Sequence, residues 1–400
     1  MWNRRTVLRT AALAALASPR VALGQETPGV TATEIKIGNT FAYSGPASGY
    51  GTGGKALSAF FRMINEQGGI NGRKINFISL DDGYSPPKTV EQTRRLVEEE
   101  GVAFIFQGLG TPTQSAVLEY MNRKGVPQLF VSSGADKFSD PERHHWTMGW
   151  LVSYRTTGAI FGKYILQQKP DGRIGVLYQN DDFGKDYLIG LRQALGDRYA
   201  GMVVKEASYE VTDPTIDSQA VALQSAGANV VITVATLKFG AQMIRKIADL
   251  NWKPLHMICP QSSSVGGAIK PAGPEKAVGL ITAINQKDNT DPQWANDPGM
   301  NEWRAFMKAY LPEADLNDAN YPYAYGVCLA LVQVLKQCGS NLSRENIMRQ
   351  AANLHDLELP ILLPGMKVNT SPTNYHPNRS LQMQRFNGKN WELFGPVIAA

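Results

Sequence analysis

A run of small residues, Ser44–Gly54, is the part of this 400-residue chain best suited to hold a small molecule. Within it, Gly49, Gly51 and Gly54 have the G-x-G-x-x-G spacing of dinucleotide-binding loops, and Asp81-Asp82 end the next predicted strand. In a dinucleotide site these glycines lie directly at the turn from strand to helix. Here seven residues separate the end of the predicted strand, Phe41, from the first glycine of the motif, Gly49. We therefore interpret the run as a ligand-facing loop at the end of a strand. The alternative is that it forms the dinucleotide site of a dehydrogenase.

Groups that catalyse hydrolysis are present, but no G-x-S-x-G motif arranges them. Two acidic pairs, Asp81-Asp82 and Asp181-Asp182, each end a predicted strand, where capping of the following turn explains them. His144-His145 lie in a polar loop, and His256 begins a strand. An enzyme is therefore the less favoured interpretation. We predict no catalytic residue, no cofactor and no metal site.

The three cysteines, Cys259, Cys328 and Cys338, have no zinc-type spacing. Cys328 and Cys338 fall on one predicted helix, where ten residues rise about 15 Å, beyond the reach of a disulfide. The sequence therefore predicts three free, buried thiols.

Residues 1–24 have the pattern of an export signal that is cleaved near Gly24. Their basic start precedes the apolar stretch Ala11–Ala17 and the small-x-small sequence Ala22-Leu23-Gly24. Arg4-Arg5 favours the twin-arginine route, while a Sec signal and a frayed helix are alternatives. Without residues 1–24 the formal charge falls from +5 to +1, which argues against nucleic acid as a partner. We expect the chain without residues 1–24 to be a monomer in the periplasm.

Short apolar runs alternate with amphipathic segments from Glu34 to about Ala283, which predicts parallel sheets covered by helices. The predicted strands are 35–41, 75–80, 102–107, 128–132, 174–179, 203–209, 230–235, 256–259 and 279–283. Nine strands exceed one sheet of ordinary size, and the rhythm breaks at His144–Arg155. A helical block follows, and Asn387-Gly388 predicts a terminal hairpin. The fold class is α/β, with two doubly wound parallel-sheet lobes; a barrel of eight βα units is the alternative.

Several motifs, in this order, resemble those of periplasmic solute-binding proteins of the branched-chain amino acid (leucine/isoleucine/valine) ABC transporter family. They are Ser44-Gly45-Pro46, Asn65-Glu66-x-Gly68-Gly69-Ile70-Asn71-Gly72, Asp81-Asp82, Thr113-Gln114, Asp181-Asp182-Phe183-Gly184, and the stretch from Gln337-Cys338-Gly339 to Pro364-Gly365. The resemblance covers nearly the whole chain after residue 24.

The resemblance implies the type I periplasmic binding protein fold, in which two lobes joined by three crossover strands close over a ligand. We expect lobe 1 at residues 33–153 plus 285–360 and lobe 2 at residues 154–284 plus 361–400. Permease and ATPase subunits of an ABC transporter are the implied partners. A ligand sensor of the same fold, serving a chemoreceptor or kinase, is an alternative.

The resemblance also implies where a ligand carboxylate is held. The matching positions are Gly110 with Thr111, and Ser133 with Gly134 and Ala135. Thr111 begins a predicted helix, whose free N–H groups and positive dipole end suit an anion. The alternative is that these residues only cap a helix and form a turn.

The family's partners for a ligand ammonium, a tyrosine and a glutamate, are replaced here by Thr236 and Gln261. A neutral amide cannot compensate the desolvation of an ammonium. Aromatic residues are expected at the same cleft: Tyr43, Tyr50, Trp150, Tyr154, Phe183 and Tyr323. We therefore predict a small organic acid without an ammonium, such as a benzoate or phenylpropenoate; a branched-chain or other amino acid is the alternative.

Overall fold

Two separate β-sheets organise residues 27–399, the part of the chain that this computed structural model describes. The strands are β1 Glu34–Phe41, β2 Lys74–Asp81, β3 Phe104–Phe106, β4 Gln128–Val131, β5 Thr147–Gly149, β6 Ile174–Gln179, β7 Val203–Tyr209, β8 Val230–Val234, β9 Leu255–Ile258, β10 Ile281–Ile284, β11 Ser380–Phe386 and β12 Trp391–Ala399. One sheet has the order β2-β1-β3-β4-β5, and the other has the order β12-β11-β10-β9-β8-β6-β7.

Pairing is parallel throughout the first sheet and from β7 to β10 in the second, while β11 and β12 are antiparallel. In β1 and β2 the register runs from Glu34 opposite Lys74 to Phe41 opposite Asp81. Every residue of β3, β4 and β8 is buried, as expected for central parallel strands covered on both faces. The predicted α/β fold with two parallel sheets is confirmed.

The helices lie on the faces of these sheets. They are α1 Gly51–Glu66, α2 Pro86–Arg94, α3 Thr111–Lys124, α4 Tyr154–Gln168, α5 Asp182–Leu195, α6 Tyr199–Met202, α7 Asp217–Ser225, α8 Leu237–Asp249, α9 Lys270–Ala272, α10 Pro298–Tyr310, α11 Asn320–Cys338 and α12 Arg344–Ala351. Polar caps fix where several begin: the Ser153 hydroxyl accepts the Thr156 N–H, and Asp181 accepts the Phe183 N–H at 2.9 Å.

The nine predicted strands are present within one or two residues of their expected ends, and the terminal hairpin forms at Asn387-Gly388. Strand β5 was missing from the prediction because three residues are too few to form a recognisable apolar run. The three cysteines are free and buried, as predicted. The predicted signal, residues 1–24, lies outside the described residues. Between residues 27 and 399, no helix combines the length and apolarity that crossing a bilayer requires.

The chain passes between the two sheets three times. It leaves the first sheet after Gly149, passes after Ile284 to the helices that pack beside the first sheet, and enters the second sheet again at Ser380. We call the first sheet with α1–α3 and α10–α12 the first unit, and the second sheet with α4–α9 the second unit. Residues 361–375, which the predicted partition groups with lobe 2, place their buried side chains in the core of the first unit.

Candidate functional site

A cavity of about 140 Å³ lies between the two units, at the carboxyl ends of the parallel strands. Its lining comes from both units, from the first two connections between the sheets and from the start of β11. The residues are Tyr50, Tyr84, Leu109, Gly110, Thr111, Ser132, Leu151, Val152, Tyr154, Thr157, Phe183, Thr236, Pro260, Gln261, Ser263, Ser264, Ile284, Asn285, Gln286, Ala319, Asn320, Tyr323 and Leu381. An engineered cavity of about 150 Å³ holds benzene. The volume therefore suits a ligand of about one ring.

Eight of the thirteen residues proposed from the sequence line this cavity: Tyr50, Gly110, Thr111, Tyr154, Phe183, Thr236, Gln261 and Tyr323. Tyr43 does not, because its hydroxyl bonds the Ser79 hydroxyl at 2.6 Å on the first sheet. Trp150 packs against Phe130, with ring centres 4.8 Å apart, in the core of the first unit.

Ser133, Gly134 and Ala135 are buried directly behind the lining rather than in it. The Ser133 hydroxyl bonds the Thr111 hydroxyl at 2.7 Å and accepts the Ala135 N–H at 3.2 Å. A Cβ on Gly134 would lie 2.8 Å from the Tyr154 ring, so this glycine permits the ring to pack there. These residues hold the lining residues Thr111 and Tyr154 in place.

Thr111, Ser133 and Tyr154 form a buried cluster of hydroxyl groups at one end of the cavity. Burial raises the pKa of Tyr154 to about 12, and hydrogen bonds from the Gly134 N–H and the Ser133 and Thr111 hydroxyls limit that rise. Tyr154 therefore keeps its proton at neutral pH. Because hydroxyls and the N–H groups of α3 are donors, this end of the cavity is suited to accept an oxygen anion.

Backbone strain is concentrated beside this cluster. Tyr84, Gln107 and Phe130 have φ values of 58°, 55° and 54°, a left-handed conformation that is unusual for bulky residues. The Tyr323 hydroxyl donates to Gln107 Oε1 at 3.0 Å and bonds the Ser132 hydroxyl at 3.1 Å. Such strain is typical of functional sites. Here it orients groups that line the cavity.

A buried carboxyl, Asp82, holds Tyr84 in its strained conformation. Asp82 Oδ1 accepts the Tyr84 N–H at 2.9 Å, and Oδ2 accepts the Thr89 hydroxyl at 2.9 Å. Burial nevertheless raises the pKa of Asp82 from 3.8 to about 6. The folded protein therefore retains a proton that the unfolded chain releases. This contribution to stability is full below about pH 3.8 and is lost as the pH rises through about 6.

Asp82→Asn is expected to remove the loss of stability with rising pH, because Asn keeps the oxygen that accepts the Tyr84 N–H and cannot ionise. Between about pH 4 and 7, the free energy of unfolding of the variant should gain up to about 3 kcal/mol relative to the wild type. Urea unfolding of both proteins across this range measures the difference. A difference that does not change with pH would contradict the assignment.

Tyr50 joins the two units directly across the cavity. From the first unit, its hydroxyl donates to the Gln261 carbonyl oxygen at 2.8 Å and accepts the Leu237 N–H at 3.2 Å, both in the second unit. Since Leu237 is the first residue of α8, the hydroxyl also satisfies a free N–H at that helix terminus. Tyr50 thus lines the cavity and at the same time holds the two units together.

Polar contacts around the cavity also connect the units. The Asp318 carboxylate accepts the hydroxyl of Thr52 at 2.7 Å and that of Ser264 at 3.1 Å. Elsewhere, Lys137 pairs with Asp182 at 2.6 Å. The structure is therefore in a closed arrangement.

Arg155 follows the lining residue Tyr154, but its side chain is engaged outside the cavity. Its Nε lies 2.8 Å from Asp186 and 3.3 Å from Asp136. Of the cavity-lining side chains that the structure describes, none is charged. A ligand ammonium would therefore be desolvated without a countercharge, which is costly.

Sequence reasoning missed several lining residues, including Tyr84, Ser132, Asn285 and Gln286. Tyr84 follows Asp81-Asp82 closely, which was a usable signal because the carboxyl ends of strands converge. Asn285 and Gln286 lie in the second connection between the sheets, and no local pattern marks them. Within residues 27–399 there is no group of three or more His, Cys, Asp or Glu side chains placed to hold a metal.

Comparison with known proteins agrees with this architecture. Residues 34–390 match the family model described as periplasmic binding protein. The Leu/Ile/Val-binding protein homolog 1 of Brucella abortus (strain 2308) is 25% identical over 352 residues, covering 86% of this chain and 86% of that protein.

Two solved structures share the fold over nearly the whole chain. A branched chain amino acid ABC transporter protein from Thermus thermophilus with bound valine has a TM-score of 0.83 and 15% identity, covering 93% of this chain and 98% of that one. A fatty acid ABC transporter substrate-binding protein from Thermomonospora curvata has a TM-score of 0.80 and 19% identity, covering 94% and 95%. At these identities the likeness establishes the fold alone.

Proposed function

We propose that this chain is the extracytoplasmic solute-binding component of an ABC importer. The proposal follows from its family, because the chain belongs to the type I periplasmic binding proteins of the branched-chain amino acid family. It captures a small carboxylate in the cavity between the two units and delivers it to permease and ATPase subunits. It performs no catalysis itself, and it acts as a periplasmic monomer after removal of residues 1–24. The two units correspond to its two lobes, with residues 361–375 in the first.

The single observation that carries the ligand assignment is the uncharged, aromatic lining of the cavity. Four tyrosines and a phenylalanine contribute to the lining of a space of about 140 Å³: Tyr50, Tyr84, Tyr154, Tyr323 and Phe183. Rings with polar edges suit a planar apolar body. We therefore propose an aromatic carboxylate, such as a benzoate or phenylpropenoate.

The carboxylate is proposed to bind at the hydroxyl cluster. The Thr111 and Tyr154 hydroxyls lie there together with Gly110 and the free N–H groups at the start of α3. Hydrogen bonds to a charged acceptor are stronger than those between neutral groups. They make binding of an anion possible without a lysine or arginine in the lining.

A matched pair of ligands tests this proposal. 3-Phenylpropanoate and phenylalanine share a skeleton and differ by the ammonium, so calorimetric titration of the chain lacking residues 1–24 should detect the first and not the second. At about 100 times its Kd, the bound acid should stabilise the folded protein by about 2.7 kcal/mol in thermal unfolding. Hexanoate serves as the control without a ring. Micromolar binding of leucine or valine with no binding of aromatic acids would overturn the ligand assignment.

A further inference from the structure

Gln261, on the second-unit wall of the cavity, has both of its oxygen atoms engaged by tyrosine hydroxyls. Tyr50 donates to its main-chain oxygen at 2.8 Å, and Tyr187 donates to its Oε1 at 3.0 Å. Among residues 27–399, its Nε2 makes no hydrogen bond to the protein. The amide NH₂ is therefore the hydrogen-bonding group of this side chain that remains for the cavity.

Tyr187 does not line the cavity, but its own position is tightly fixed. Its side chain is 2% exposed, and its ring stacks on Tyr154 at 5.3 Å and meets Phe183 edge-on at 5.9 Å. Burial raises the pKa of Tyr187 well above its usual value, so the hydroxyl keeps its proton and acts as the donor to Gln261. Helix α5, which carries Tyr187, packs against α4, which carries Tyr154.

We propose that Tyr187 is a positioning residue that determines specificity: it holds the Gln261 amide with its NH₂ toward the ligand. This inference deepens the proposed function and rests on it for the identity of the site. An amide is both donor and acceptor. When its oxygen is occupied, it offers only donors. The second-unit wall therefore favours ligand groups that accept hydrogen bonds and rejects groups that only donate, such as an ammonium.

Tyr187→Phe tests the proposal, because it keeps the ring and releases Oε1 of Gln261. The amide is then free to turn, and the preference for 3-phenylpropanoate over 3-phenylpropylamine should fall about tenfold, as expected for one buried hydrogen bond. Tyr199→Phe is the matched control. That hydroxyl is bonded to Glu206 at 2.6 Å in the same unit and has no contact with Gln261.

A second measurement does not need a ligand. The side-chain amide signals of Gln261, assigned by their loss in Gln261→Met, should shift in nuclear magnetic resonance spectra of Tyr187→Phe and stay unchanged in Tyr199→Phe. Unchanged amide signals in Tyr187→Phe, or a preference within twofold of the wild type, would overturn the proposal. If the wild type binds no aromatic acid, the proposed function fails, while the amide signals still decide the role of Tyr187.

If Tyr187→Phe does not fold, Gln261→Met decides the matter. Methionine keeps the length of the side chain and removes both amide atoms. The preference for the acid over the amine must then fall by the same factor, and a preference that survives in Gln261→Met would refute the inference.

Discussion

Gln261→Glu is expected to weaken binding of 3-phenylpropanoate by about a thousandfold. The substitution places a carboxylate in a cavity whose described lining carries no charge. Two like charges about 4 Å apart repel by about 4 kcal/mol at an effective dielectric constant of about 20, and about 1.4 kcal/mol corresponds to a factor of ten. Titration calorimetry at about pH 8, where the new carboxyl is ionised, measures the effect.

The uncharged ligand 3-phenylpropanamide provides the control for this variant. Its affinity should change by less than tenfold, because shape is preserved and no repulsion arises. The loss for the acid should also shrink at about pH 5, since burial beside an anion raises the pKa of the introduced glutamate and favours its neutral form. Equal losses for the acid and the amide would show that the carboxylate does not face Gln261.

Gly190→Ala is expected to destabilise the folded protein by about 4 kcal/mol or more. Helices α4 and α5 approach so closely that a Cβ on Gly190 would overlap the main-chain oxygen of Arg155, and one on Gly158 would overlap that of Tyr187. Overlap with backbone cannot be relieved by a change of rotamer, so the helices must separate. Their separation would displace Tyr154 from the cavity wall and Tyr187 from its hydrogen bond to Gln261, and ligand binding should be lost as well.

Gly201→Ala is the matched control, because nothing lies within 4 Å of a Cβ at that position and the residue is exposed in α6. Alanine is the better helix former, so this variant should be neutral or slightly more stable. Urea unfolding of both variants gives the comparison. A loss below about 1 kcal/mol for Gly190→Ala would mean that α4 and α5 are not in such close contact.

Strands were predictable from the sequence wherever burial on both faces produced an unbroken apolar run. Strand β8, Val230–Val234, is such a run except for Thr233, and its predicted end differs from the structure by one residue. Strand β5, Thr147–Gly149, has only three residues and is stabilised by pairing with β4, so its signal is tertiary rather than local. The position of Ile361 and its neighbours in the first core likewise depends on contacts distant in sequence.

Candidate site residues were predictable where a family motif or a helix start marked them, as for Thr111 and Gln261. Aromatic character alone was a weaker guide. Trp150 and Tyr154 are four residues apart, yet one faces the core of the first unit and the other lines the cavity. For Tyr84, only its place after Asp81-Asp82 pointed to the site, because residue type does not reveal the left-handed conformation that turns its ring toward Gly110.

Two of the connections between the sheets contribute Val152 and Gln286 to the cavity wall, and Leu381 lies in β11 directly after the third connection. A ligand in the cavity therefore contacts the segments that join the two units. When two units rotate about the segments that join them, a small difference in the width of a ligand near those segments becomes a much larger displacement at the outer ends of the units. For the proposed importer, we expect the angle between the two units to depend on the width of the bound ligand. A permease that docks only one angle would then reject a poorly fitting ligand without contacting it.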